Sequence, residues 1–92
     1  MTDAKNNVIS PAQCRAGRAL VRINQQNLAK AAEVSTKTVA DFEREIERQL
    51  NVRTLRALRA ALEAAGVEFI PENGGGEGVR FKKDRPQETD VI

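Results

Sequence analysis

The sequence predicts a mainly α domain, four helices closed by a C-terminal two-stranded β-hairpin. Three observations carry that prediction. Apolar residues recur at helical spacing between positions 11 and 65, Ser or Asn stands at four positions able to cap a helix, and past Gly66 the period falls from about 3.6 to 2. Ninety-two residues suffice for one hydrophobic core. With three Phe and no Trp or Tyr, that core must be built from Leu, Val, Ile and Ala.

Residues 1–9 carry no period and read as a flexible N-terminal arm. Ser10-Pro11-Ala12-Gln13 is a capping-box signature with Pro at the first helical position, so a helix starts at Pro11 and runs to about position 22. Cys14, Ala16, Gly17, Leu20 and Ile23 form its apolar side, and Arg15, Arg18 and Arg22 lie mostly opposite. Asn24 caps a second helix over 25–32, rich in Ala but too short to be stable alone. Ser35 caps a third, over 36–45, in which Val39 and Phe42 point to the core and Thr36, Lys37, Ala40, Asp41 and Arg44 share the other face. Residues 46–50 have no period and read as a loop. Asn51 caps the longest helix, whose stripe Val52, Leu55, Leu58, Leu62 and Ala65 ends at Gly66, a left-handed C-cap. Strands are predicted at 67–70 and 79–82, joined by the turn-forming residues 71–78, and 84–92 reads as a flexible tail. Two strands alone are marginal, so Val67, Phe69, Val79 and Phe81 must pack on a helix, a second subunit, or both.

Composition removes whole classes of function. The chain has no His, which takes away the commonest general base and neutral metal ligand and every nucleophile–His pair. One cysteine, Cys14, gives neither an internal disulfide nor a Cys-based zinc site, and points to a reducing compartment. Gly74-Gly75-Gly76 lacks the Lys-Ser/Thr and following helix of a phosphate-binding P-loop. The N-terminus has no apolar stretch of the kind a secretory signal needs, and no run approaches the ~20 apolar residues of a membrane span. The reading is a cytoplasmic binding protein, not an enzyme, without metal, cofactor or membrane partner and with no apparent small-molecule effector. Net charge is only +2, but basic blocks at 11–30 and 48–62 alternate with acidic blocks at 33–47 and 63–77.

The spacing Gln25, Ala29, Val34, Ser35, Val39 and Glu43 resembles the helix-turn-helix of the lambda-repressor and Cro family, the xenobiotic-response-element type, over residues 14–66. Each position also has a local reason. Ala29 is small where two helices cross, Val34 plugs the turn, Leu28 reaches the core, and Val39 and Phe42 seat the second helix on the first. The resemblance implies a four-helix DNA-binding domain over 10–66 with its motif at about 24–45; the hairpin at 67–83 carries more apolar side chains than one small domain easily covers and is expected to serve dimerisation. Where the family often carries Gly, this chain has Arg22, Glu33 and Glu45; a left-handed backbone there would cost each on the order of 1 kcal/mol. The loop after 45 also lacks the family's frequent Pro.

In this family the second motif helix enters the major groove. Carried across, the resemblance implies a recognition helix at 35–45 with base contacts from Thr36, Lys37, Ala40 and Asp41. Lys37 suits guanine O6 or N7, Asp41 a cytosine N4 amine, and Thr36 and Ala40 a thymine methyl. Lys37 and Asp41 also stand at the i, i+4 spacing of a plain surface ion pair. Phosphate contacts are implied for Asn24, Gln25, Ser35, Thr38 and Arg44, and a structural pair for Arg18 with Glu43. One reading helix buries little, so a homodimer on two-fold related half-sites of double-stranded DNA is expected, joined through Leu62, Val67, Phe69, Ile70, Val79 and Phe81. Truncation after Gly66 is then expected to give a monomer. The alternative is a protein-binding module, an antitoxin or anti-activator, motivated by the acidic cluster Asp41, Glu43, Glu45 and Glu47.

Overall fold

Four helices and one antiparallel sheet follow in chain order: α1 (Pro11–Val21), α2 (Gln25–Ala32), α3 (Thr36–Glu43), α4 (Val52–Ala65), β1 (Val67–Ile70) and β2 (Gly78–Phe81). The computed structural model describes residues 8–45 and 50–83. Most of the predicted arm, most of the 46–50 loop and the 84–92 tail lie outside the described residues.

Every helix starts at its predicted cap. Ser10 Oγ accepts from the Gln13 amide at 3.0 Å, while Gln13 Oε1 accepts from the Ser10 amide at 3.0 Å, completing the capping box. Asn24, Ser35 and Asn51 accept from the amides of Asn27, Thr38 and Thr54 at 2.7, 3.0 and 2.8 Å. The ends of α1 and α2 are reversed by Arg22 (φ 57°) and Glu33 (φ 61°), whose following amides, Ile23 and Val34, return to the carbonyls of Arg18 and Ala29. Glu45 (φ 56°) is left-handed as well, so Arg22, Glu33 and Glu45 all hold the backbone a Gly would favour. That turn ends α3 at Glu43, two residues before the expected end.

The core is formed by Cys14, Leu28, Val39, Leu58, Leu62 and Val67, which expose no surface, with Ile9, Ala29, Ala32 and Phe69 almost as deep. Ile9 therefore belongs to the folded body and not to an arm. On α1 the inward line is Gln13, Cys14 and Gly17, with Val21 beside it, whereas Ala16, two residues and about 200° from Cys14, faces solvent. On α4 the line centres on Leu58 and Leu62, flanked by Ala57 and Ala61; Val52, which the predicted stripe included, is 47% exposed in the first turn and stands outside the buried line. A Cβ on Gly17 would meet Leu62 Cδ1 and Val67 Cγ1 at 3.5 Å, an ordinary contact, so α1 lies close on α4 and β1 there.

The hairpin pairs Val67 with Phe81, Glu68 with Arg80, Phe69 with Val79 and Ile70 with Gly78, and β2 begins one residue earlier than predicted. Its inner side is covered by the chain's own helices, because Val67 and Phe69 are buried. Gln13, 7% exposed, donates from Nε2 to the carbonyls of Ile70 (3.3 Å) and Gly78 (3.0 Å), fastening both strands to α1. The guanidinium of Arg59 lies 5.3 Å from the Phe69 ring centroid and bonds Glu63 at 2.9 Å. Among the described residues no helix is long and apolar enough to cross a membrane.

Candidate nucleic-acid interface

α3 has two unlike faces. Val39 is fully buried and Phe42 half-buried against the core, while Thr36, Lys37, Ala40, Asp41 and Arg44 form one outer strip, half-buried to exposed. Along that strip Lys37 Nζ meets Asp41 Oδ2 at 2.8 Å, with side-chain exposures of 81% and 33%. Ser35 and Thr38 share a hydroxyl hydrogen bond of 2.8 Å beside the helix N-terminus. Arg44 is exposed and makes no ion pair among the described residues.

What fixes α3 against the rest of the domain is Glu43, buried to 3% exposure. Arg18 grips it with two bonds, Nε to Oε2 at 2.8 Å and Nη2 to Oε1 at 2.7 Å, and donates a third bond to the Ile23 carbonyl at 3.2 Å. Gln25 Nε2 adds 3.0 Å to Oε1, Cys14 Sγ lies 3.1 Å from Oε2, and Arg15 donates to the Glu43 carbonyl. Burial raises the Glu43 pKa, but the hydrogen bonds from Arg18, Gln25 and Cys14 outweigh it and hold the carboxyl below its ordinary value. The same burial, followed by the bond to and charge of Glu43, pushes the Cys14 thiol far up. The expected Arg18–Glu43 pair is thus present, at the centre of a larger network.

An open recess of about 450 Å³ lies between the start of α2 and the start of α3, lined by Arg18, Asn24, Gln25, Gln26 and Thr36. Gln25 enters it with one amide hydrogen held by Glu43; an amide nitrogen carries two, so a donor remains. The first amides of α2 also lack helical acceptors. The lining brings predicted backbone contacts, Asn24 and Gln25, next to one predicted base contact, Thr36. Gln26 was not singled out by the sequence, although its place one residue into a capped helix start is the signal that marks it.

The six residues expected at a dimer interface divide. Leu62 and Val67 expose no surface and Phe69 only 7%, so these three serve the chain's own core. Ile70 and Val79 are half-buried and Phe81 is 42% exposed. Truncation after Gly66 would remove core residues and unfold the body, which makes it unfit as a test of dimerisation. Among the described residues no group of three or more His, Cys, Asp or Glu is placed to hold a metal ion. No protein-family model and no curated protein matches the chain.

Proposed function

We propose that the chain is a sequence-specific double-stranded DNA-binding regulator of transcription, of the lambda-repressor and Cro type, that places α3 in the major groove. The observation that carries this reading is the two-faced α3. Its inner side is locked to α1 and α2 through Val39 and the Glu43 network, and its outer strip offers Thr36, Lys37, Ala40 and Asp41 together. A firmly seated helix presenting hydrogen-bonding side chains beside a small one is what direct readout needs. Asn24, Gln25 and the free amides of α2 supply a phosphate site beside it, with Ser35, Thr38 and Arg44 flanking.

Binding is proposed to occur as a homodimer on two-fold related half-sites, with Ile70, Val79 and Phe81 as the hairpin residues that still have surface to offer. Control follows from occupancy at a promoter. The competing reading, a protein-binding module, loses part of its motive, because Glu43 is buried and Glu45 lies 3.9 Å from Arg15. Glu47 lies outside the described residues.

Selection of bound duplexes from a random pool, followed by binding titrations across salt, tests the reading. A two-fold symmetric motif with salt-dependent affinity is expected; a pool that stays random overturns it. Sedimentation with and without Ile70→Glu tests the dimer, which is expected to dissociate in the variant; a wild-type chain that sediments as a monomer on its own site overturns that part.

A further inference from the structure

On the outer strip of α3 a cation and an anion stand tip to tip, and the pair is more informative than either residue alone. Lys37 and Asp41 are one helical turn apart, about 6 Å along the axis, yet their charged atoms converge to 2.8 Å. One ammonium hydrogen points at the carboxylate, which leaves two others on Lys37, while a carboxylate accepts at several lone pairs. The pair therefore offers donors and an acceptor side by side.

In the major groove a G·C pair shows two neighbouring acceptors, guanine N7 and O6, beside one donor, cytosine N4. An A·T pair shows an acceptor, a donor and an acceptor, and a phosphodiester shows acceptors only. Resting on the DNA reading above, we propose that Lys37 and Asp41 read one G·C base pair as a single donor–acceptor unit, and that Asp41 keeps this unit off the phosphate backbone. On G·C the two remaining Lys37 hydrogens meet N7 and O6 while Asp41 accepts from N4. On A·T the ammonium finds a single acceptor before the amino group intervenes, and thymine O4 faces the carboxylate. Against phosphate the carboxylate meets negative charge and no donor, so the pair must part before Lys37 can bind there. Ala40, on the same strip, adds only a methyl group and leaves the approach open.

The test compares wild type, Lys37→Met, Asp41→Asn and the double variant, by selection from a random duplex pool and by titration on the selected and a scrambled duplex across salt. Wild type is expected to fix a G·C pair in each half-site, and each single variant to relax that same pair by at least about fivefold. Asp41→Asn is also expected to bind scrambled duplex more tightly, with a salt slope steeper by about one released counterion. The double variant should discriminate no worse than the poorer single variant. Retained G·C preference in Asp41→Asn, unchanged affinity for scrambled duplex, or additive losses in the double variant overturn the proposal while leaving the DNA reading intact. A wild-type pool that stays random overturns both. Both side chains lie on the surface strip, and melting curves of each variant verify the fold.

Discussion

Glu43 places a charge where water barely reaches, and Arg18, Gln25 and Cys14 meet it there. Removing the cation leaves the carboxylate buried and underpaired, so Arg18→Ala is expected to cost about 3 kcal/mol of unfolding free energy, read from urea midpoints. That is a large share of the roughly 5–15 kcal/mol that holds a small domain together. Because the folded carboxyl titrates below its ordinary value, the network's contribution is present above the ordinary carboxylate range and disappears as pH falls through the folded value. Urea midpoints should stay level from about pH 7 to about pH 5 and drop below it, and Glu43→Gln should shrink that drop. Cys14 offers a second readout. With no exposed surface and a thiol held protonated, it should resist iodoacetamide in the folded chain and react at the rate of unfolding. The ion pair of Lys37 with Asp41 was legible from its i, i+4 spacing, and that of Arg18 with Glu43 only through a resemblance to other sequences, since its partners stand 25 residues apart.

Helix starts were readable because a cap acts over three residues: Ser10, Asn24, Ser35 and Asn51 each bond the amide three positions on. Helix faces were read less well. Ala16 and Val52 are apolar at near-helical spacing yet exposed, because a stripe's centre depends on what it packs against and no local rule supplies that. Ile9 was missed for a related reason, since a single buried residue has no period. The helix ends carry the cost foreseen at Arg22 and Glu33, both exposed and left-handed. Arg22→Gly and Glu33→Gly should each gain about 0.5–1 kcal/mol, raising the melting temperature by several degrees, while the matching Ala variants should show no gain. Gly17→Ala should also stabilise, by roughly 0.5–1 kcal/mol, since the new Cβ, in the interior of α1, would meet Leu62 and Val67 at ordinary contact distance.

At the scale of the molecule, the hairpin is joined to the helices in two ways, by Val67 and Phe69 in the core and by the bonds of Gln13 to Ile70 and Gly78. Those partners are 57 and 65 residues from Gln13, which is why the sequence showed this amide only as a cap. It also explains why an intact hairpin belongs in any DNA-binding experiment. Gln13→Ala should lower stability by about 1–3 kcal/mol, measured by urea denaturation, because two strand carbonyls lose their donor along with the cap. The double use of one side chain has a kinetic meaning as well. Fraying of the first turn of α1 and parting of the strands cannot proceed independently when the same amide closes both, so they make up one cooperative opening unit. In native-state hydrogen exchange the amides of Ser10 and Lys82, bonded to the Gln13 side chain and to the Gly66 carbonyl, should therefore share one opening free energy in wild type and separate in the variant.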